Sequence, residues 1–362
     1  ALHGLPSFGL IVGMLGVLKG GGVLLMVDPV LPSARKSLML AEADARILIS
    51  IGDNEPEQSW WQSEKLLHLI QSPRTGGIEA GAVPPPEFDR SEPSCPEGDP
   101  AYVFFTSGTT GKPKGIIGSH QSLSHFLIWQ RDTFRITRSD RAAQLTGLSF
   151  DVVLRDIFLP LVSGGVLCLP DEADRLDGER ILRWLDREAI SVLHTVPAVA
   201  TAWLASVPED VSLSSLRWTF FAGEPLTDQM VGSWRARFPE SGDQVNLYGP
   251  TETTLAKCFY QVPAEPPYGV QPIGSALPDA QVLIMNGGQR LCGIGEIGEI
   301  VIRTPFRTLG PLPDQGTASS FFRENPYRPE SDRDLYFSGD LGRYRPDGTV
   351  EILGRLDEQV KI

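Results

Sequence analysis

The sequence predicts an α/β fold joined to a separate β-rich subdomain. Its 362 residues exceed the size at which one hydrophobic core stops growing, so more than one subdomain is expected. Apolar residues at helical spacing alternate with short apolar strands in residues 5–50 and 119–205, which is typical of parallel α/β structure. From about residue 270 onward the pattern changes to short β segments.

The elements follow in order along the chain. Residues 5–18 predict a helix, 23–27 a buried strand, and 31–50 a helix followed by a strand. Residues 72–99 are rich in Pro, Gly and acidic residues and show little periodicity, which indicates a surface connection.

Two later strands are predicted to end in polar, Gly-containing turns, in residues 215–226 and 243–254. Ligands of α/β proteins favour such strand ends. Residues 341–355 predict a hairpin whose turn contains Pro346, Asp347 and Gly348.

Composition disfavours several classes of function. The formal net charge is −13 and no basic run is present, which disfavours a nucleic-acid partner. The four cysteines lie far apart, without the spacing of a zinc site or a disulfide framework, and suit a reducing cytoplasm. The apolar run 8–27 contains Lys19 and three consecutive glycines, so we expect a helix, a turn and a buried strand, and no membrane partner.

The stretch "YVFFTSGTTGKPKG" at residues 102–115 places a predicted strand before a loop of Thr, Ser, Gly and Lys. Such a backbone can direct several N–H groups and hydroxyls at one anion, and Lys112 and Lys114 make phosphate the expected ligand. A Walker A loop does not fit, because Thr106 stands where the first Gly belongs and Pro113 replaces the hydroxyl residue. The alternative is an ordinary mobile Gly/Ser loop.

The segment "FTSGTTGKPKG" resembles the signature loop of the adenylate-forming superfamily, which contains acyl-CoA synthetases, luciferases and the adenylation domains of nonribosomal peptide synthetases. The segments "LSFDVVLRDIFLPLVSGG", "FAGEPL", "NLYGPTETT" and "YFSGDLGRYRPDGTVEILGR" resemble successive core motifs of peptide-synthetase adenylation domains. The resemblance covers nearly the whole chain.

This resemblance implies the large N-terminal core of an adenylation domain in residues 1–353. Two α/β subdomains in a layered sandwich would occupy about 1–265, and a small β-barrel-like subdomain about 266–353. Residues 354–362 would begin the hinge, with Asp357 at its pivot, and the C-terminal lid of the family is not within these residues.

The resemblance also implies a reaction. ATP and a carboxylic acid would give an acyl adenylate and pyrophosphate, with Mg²⁺ as cofactor. The acyl group would then pass to the phosphopantetheine thiol of a peptidyl carrier protein, so carrier and neighbouring synthetase domains are the expected partners. The alternatives are an acyl- or aryl-CoA ligase of the same superfamily and a lid-less module that binds ATP and an amino acid without turnover.

By the same resemblance, Lys114, Thr251 and Glu252 are the expected catalytic residues, and Glu252 would hold Mg²⁺. Tyr248 would lie against adenine, and Asp340 would grip both ribose hydroxyls. The complete expected nucleotide-binding set is Thr106, Ser107, Gly108, Thr109, Thr110, Gly111, Lys114, Gly223, Glu224, Tyr248, Thr251, Asp340 and Arg355.

The resemblance implies a substrate pocket as well, formed by Asp151, Val152, Arg155, His194, Phe220, Ala222, Leu247, Leu255 and Ala256. Asp151 matches the acid that pairs with a substrate α-ammonium, which indicates an amino acid. The guanidinium of Arg155, assisted by His194, suits a second carboxylate, as in aspartate, glutamate or aminoadipate. The alternative is that Arg155 pairs with Asp156 and that His194 is a core histidine.

Overall fold

The computed structural model describes residues 1–52, 58–61, 68–75, 98–106, 113–313, 321–328 and 334–356. The chain divides into two compact units. The first contains Ala1–Leu123, Gly147–Asp151 and Thr308–Ser319, and the second contains Ser124–Thr146, Val152–Arg307 and Ser320–Ile362.

A mixed sheet forms the first unit. Its strands, within the described residues, are β1 (Leu2–Gly4), β2 (Leu24–Val27), β3 (Ile47–Ile51), β4 (His68–Ser72), β5 (Pro100–Thr106), β6 (Lys114–Ser119) and β16 (Gly310–Pro311). Their order is β16-β6-β5-β2-β1-β3-β4. The strands from β5 to β4 along this order are parallel, and β6 and β16 add antiparallel neighbours. The helices are α1 (Phe8–Lys19), α2 (Ser33–Glu42) and α3 (Gln58–Trp61).

The start of the chain confirms the predicted helix, turn and strand. Helix α1 begins after Ser7, whose hydroxyl accepts the N–H of Leu10 at 3.3 Å and so caps the first turn. It ends before glycines, of which Gly21 adopts a left-handed φ of 72°. Strand β2 then lies fully buried in the sheet. No helix among the described residues is long and apolar enough to cross a bilayer.

Most of the second unit is built on another sheet. Its described strands are β7 (Arg141–Ala143), β8 (Val166–Cys168), β9 (Val192–Thr195), β10 (Trp218–Ala222), β11 (Asp243–Tyr248), β12 (Cys258–Gln261) and β13 (Ser275–Ala276). Their order is β13-β12-β11-β10-β9-β7-β8, with β8 to β11 parallel and β12 and β13 antiparallel.

Helices connect these parallel strands, as the alternating pattern predicts. They are α5 (Val153–Val162), α6 (Glu172–Arg175), α7 (Gly178–Arg187), α8 (Pro197–Leu204) and α9 (Asp228–Arg237), while α4 (His120–Thr133) precedes β7. A short 3₁₀ turn, Thr251–Thr253, follows β11. In the core between α9 and β10, Trp234 is buried against Phe221 and Phe238.

A third, antiparallel sheet completes the second unit. Its described strands are β14 (Gln281–Met285), β15 (Gly298–Arg303), β17 (Phe322–Arg323), β18 (Leu335–Tyr344) and β19 (Val350–Arg355). Strands β18 and β19 form the predicted hairpin, in which Gly348 takes a φ of 82° and Asp347 accepts the N–H of Thr349 at 3.0 Å. The predicted α/β class with a small β-rich part is thereby confirmed, whereas the predicted subdomain boundaries stay a prediction.

Candidate functional site

Three predicted nucleotide-binding residues lie together in the second unit. Tyr248 ends β11, while Asp340 and Arg355 face each other across the β18–β19 ladder. The hydroxyl of Tyr248 donates to Asp340 Oδ2 at 2.5 Å, and Arg355 Nη1 donates to Asp340 Oδ1 at 2.9 Å. Each oxygen of the Asp340 carboxylate therefore has its own donor.

The surroundings of Asp340 explain why this arrangement is stable. Asp340 is buried, and a buried carboxylate is costly unless it is paired and hydrogen-bonded. Arg355 supplies the opposite charge and donates a further hydrogen bond to the carbonyl of Ser338 at 3.1 Å. Burial, reinforced by Asp340, raises the pKa of Tyr248 well above its ordinary value. Tyr248 thus stays protonated and remains a donor.

A second contact joins the 3₁₀ turn to β18. The hydroxyl of Tyr336 hydrogen-bonds Glu252, and burial together with Glu252 raises the pKa of Tyr336. Sequence analysis missed Tyr336. The signal that could have found it is its place in the sequence, because Tyr336 lies on β18 only four residues before Asp340, within the motif that contains Asp340.

The remaining predicted nucleotide-binding residues of the second unit lie in turns after strands. Thr251 opens the 3₁₀ turn, and its carbonyl accepts the N–H of Thr254 at 3.0 Å. Gly223 follows β10 with a φ of 90°. Glu224 accepts the N–H of Ala198 at 3.0 Å, in the first turn of α8, and so stabilises the start of that helix.

The predicted phosphate loop begins and ends on one hairpin of the first unit. Thr106 and Lys114 are directly paired across strands β5 and β6. The predicted contacts between them, Ser107, Gly108, Thr109, Thr110 and Gly111, lie outside the described residues, as does the predicted hinge residue Asp357.

Four predicted pocket residues share one face of the sheet in the second unit. His194 is paired with Phe220 across β9 and β10, and their rings stack with centroids 4.8 Å apart. Ala222 is paired with Leu247 across β10 and β11. Since residues two apart on a strand point to the same face, these side chains line the carboxyl ends of three neighbouring strands.

The other predicted pocket residues lie on connecting segments. Leu255 and Ala256 are buried in the turn that follows the 3₁₀ turn. Val152 precedes α5 in the second unit, and Asp151 is a buried residue of the first unit.

Arg155 lies in a buried polar cluster. Its Nε is 3.4 Å from Asp156 Oδ1, and the two side chains are 3% and 0% exposed. His194 Nδ1 also lies 3.4 Å from Asp156 Oδ1. Gln130 Nε2 and His194 Nε2 lie 2.8 Å apart, so the Gln130 amide and the imidazole are hydrogen-bonded to each other.

The cluster sets the charge of its members. Burial, followed by the charge of Arg155, lowers the pKa of His194 well below its usual value, so the imidazole is neutral. Burial raises the pKa of Asp156, while Arg155 and the N–H of Thr146 oppose that rise. The contacts of Arg155 with Asp156 match the alternative that the sequence left open, and its role in a substrate pocket stays a prediction.

The donor set fits a magnesium nucleotide. Mg²⁺ is usually held by one or two carboxylates together with substrate phosphates, rather than by a cage of protein ligands. Glu252 is one such carboxylate, and no group of three acidic, His or Cys side chains occurs in the described part of the chain. Asp340 offers two carboxylate oxygens beside the ring of Tyr248, which suits a ribose with two adjacent hydroxyls.

Comparison with known proteins identifies relatives over nearly the whole chain. Tyrocidine synthase 3 of Brevibacillus parabrevis is 33% identical over 98% of this chain and 5% of that protein. L-2-aminoadipate reductase of Schizosaccharomyces pombe is 31% identical over 98% of this chain and 28% of that protein. The chain thus spans well under half the length of these curated relatives.

Solved structures share the fold. The structure of CmiS6 superposes with a TM-score of 0.84 at 25% identity, covering 98% of this chain and 83% of that one. The nonribosomal peptide synthetase FmoA3 with bound α-methyl-L-serine-AMP gives a TM-score of 0.84 at 26% identity, covering 99% and 39%. The family described as AMP-binding enzyme matches residues 1–310, which confirms the resemblance seen in the motifs. The chain belongs to the AMP-binding enzyme family.

Proposed function

We propose that the protein activates the carboxylate of an amino acid with ATP, forming an aminoacyl adenylate for transfer to a carrier-protein thiol in nonribosomal peptide synthesis. Family membership supports the nucleotide chemistry. Tyrocidine synthase 3 and the structure of FmoA3 with an aminoacyl-AMP support the amino-acid side. The observation that carries the proposal is the Tyr248–Asp340–Arg355 assembly, which presents a buried, doubly hydrogen-bonded carboxylate.

In this proposal the chain acts by holding groups in place and by matching their charge. Asp340 accepts from both ribose hydroxyls, and Arg355 pairs with its carboxylate and orients it. Thr251 and Lys114 contact phosphate oxygens. Glu252, held by Tyr336, is the residue that would bind Mg²⁺. A bound magnesium ion supplies positive charge that stabilises the phosphates.

For the substrate class we propose an amino acid with a second carboxylate. Similarity to L-2-aminoadipate reductase supports this class. Asp151 would pair with the α-ammonium, and Arg155 and His194 would be the basic side chains nearest the distal carboxylate. Since Arg155 already contacts Asp156, we propose that one guanidinium serves both carboxylates, which its five donors allow.

The wider setting is also part of the proposal. Residues 1–353 would form the large core, and 354–362 would begin the hinge at Asp357. A peptidyl carrier protein with its phosphopantetheine and neighbouring synthetase domains would be the partners. The described cysteines, Cys168, Cys258 and Cys292, are free thiols, which supports a cytoplasmic location.

The direct test is amino-acid-dependent exchange of pyrophosphate into ATP by the full-length protein. The panel contains aspartate, glutamate, aminoadipate, and neutral amino acids, with aryl acids and coenzyme A as a separate arm. Exchange with an acidic amino acid supports both the adenylation reaction and the substrate class. Exchange with neutral amino acids alone would retain adenylation and reject the substrate class. Activity that requires an aryl or fatty acid and coenzyme A would instead identify an acyl- or aryl-CoA ligase.

A further inference from the structure

The turn that carries two predicted pocket residues has an unusual backbone. Thr254 and Leu255 are consecutive non-glycine residues with left-handed φ angles of 65° and 57°. This region is unfavourable for side chains with a Cβ, and most of all for a β-branched residue such as Thr254. Such backbone persists only where surrounding contacts hold it. The contacts that hold this turn therefore decide where Leu255 and Ala256 lie.

One contact comes from the end of β11. A Cβ atom at Gly249 would lie 2.3 Å from the carbonyl oxygen of Leu255 and 2.7 Å from the Cα of Ala256, so only glycine permits this approach. Beside it, the N–H of Lys257 donates to the carbonyl of Tyr248 at 2.8 Å. The turn is thus closed against the same strand end that carries Tyr248.

The other contact is the side chain of Lys257. This lysine is fully buried, and its Nζ donates to the carbonyl of Thr254 at 2.8 Å. Burying an ammonium is costly unless it is hydrogen-bonded, and the Thr254 carbonyl accepts one such hydrogen bond. The bond reaches back three residues and spans Leu255 and Ala256. It therefore joins the two ends of the left-handed turn.

We propose that Lys257 is a positioning residue for substrate selection: its ammonium holds the Thr254 carbonyl and thereby fixes Leu255 and Ala256 at the amino-acid side of the site. The ammonium contacts the turn, and the residues that it positions contact the amino acid. Tyr248, Thr251 and Glu252 precede the turn, so one loop contains a nucleotide-binding segment followed by a substrate-binding segment. The inference rests on the proposed function, because Leu255 and Ala256 are pocket residues only within it.

The test uses Lys257→Met in the full-length protein, which removes the ammonium and keeps an unbranched side chain. Lys36→Met is the matched control. Lys36 is also buried, and its Nζ lies 3.4 Å from the carbonyl of Pro29, in the first unit and outside the predicted site. Two readouts are compared: hydrogen exchange of the backbone amides in the turn, and the KM values for amino acid and for ATP.

The amides of Thr254 and Lys257 donate to carbonyls within the loop, so they report whether the turn stays closed. In Lys257→Met we expect them to exchange about tenfold faster, as loss of a charged hydrogen bond implies, and not in Lys36→Met. We expect the KM for the amino acid to rise by a similar factor, about tenfold, while the KM for ATP stays within about twofold. Lys257→Gln keeps an N–H donor and should give intermediate values if the methionine variant fails to fold.

Turn amides that exchange at the wild-type rate in Lys257→Met would overturn the proposal, and so would equal increases in both KM values. A different result would reject the proposed function itself. A wild-type protein that exchanges pyrophosphate with no amino acid rejects that function, and the amide exchange still decides whether Lys257 holds the turn.

Discussion

Substitution of Arg155 by leucine tests whether this arginine stabilises the folded protein through Asp156. Together with a double variant, it also tests whether Arg155 contacts the substrate. The ion pair with Asp156 joins two atoms 3.4 Å apart on side chains that are 3% and 0% exposed. Removing one partner of a buried pair typically costs about 3–5 kcal/mol, and the long separation here places the expected loss of stability at about 3 kcal/mol. After the change Asp156 keeps the N–H of Thr146 at 3.2 Å and the imidazole of His194 at 3.4 Å.

The pH dependence of this loss follows from Asp156. Burial raises the pKa of Asp156 and Arg155 opposes that rise, so Arg155→Leu should raise the pKa further. A carboxyl that keeps its proton to higher pH in the folded than in the unfolded state lowers stability as pH rises between the two pKa values. The loss in free energy of unfolding of Arg155→Leu should therefore be small near the pKa of an aspartate in the unfolded chain, about 3.9, and should grow toward neutral pH.

Equilibrium urea unfolding between about pH 4 and about pH 7 measures this deficit. The control is the double variant Arg155→Leu/Asp156→Asn, which removes both charges and should recover most of the lost stability. If Arg155 also binds the substrate, the double variant loses its preference for acidic amino acids in pyrophosphate exchange. A single variant as stable as the wild type at neutral pH would refute the ion-pair argument.

Three further predictions concern the nucleotide residues. Asp340→Ala removes the acceptor of Tyr248 and Arg355, so calorimetric ATP affinity should fall at least about tenfold, and an unchanged affinity would count against the ribose assignment. Tyr248→Phe deletes one donor to Asp340 and should raise the KM for ATP about fivefold, whereas an unaltered KM would show that this hydrogen bond does not support binding. Glu252→Gln should raise the Mg²⁺ concentration needed for half-maximal pyrophosphate exchange. Tyr336→Phe should raise it less, because it removes only the hydrogen bond to Glu252. A magnesium titration of Glu252→Gln that matches the wild type would reject the assignment of Glu252.

Local elements were predictable because their signals are short-range. The helix predicted at 5–18 is found at Phe8–Lys19, and the strand predicted at 23–27 at Leu24–Val27. Apolar spacing, a serine cap and a glycine stop all lie within these few residues. The β18–β19 hairpin was predictable for the same reason, since its turn residues lie between the two strands they join.

Pairings between distant residues were not predictable from the sequence. Tyr248 and Asp340 were each expected at the nucleotide, but their hydrogen bond joins residues 92 positions apart. The contact of Gln130 with His194 spans 64 positions and depends on how α4 packs beside β9. Nothing in the local pattern of either segment encodes that geometry, because a helix or strand signal fixes only which face is buried.

The case of Arg155 shows how far residue type can carry a substrate assignment. A guanidinium in a predicted pocket suits a carboxylate, and the sequence itself places one carboxylate, Asp156, directly beside it. Which carboxylate the arginine serves is decided by burial, since a fully buried Asp156 must be compensated whether or not a substrate is bound. The charge of Arg155 is available to a distal carboxylate only in so far as its further donors can reach it. A charged pocket residue therefore identifies a substrate only after the contribution of its ion pair with a buried neighbour to stability has been measured. The double variant with Asp156→Asn provides that measurement for Arg155.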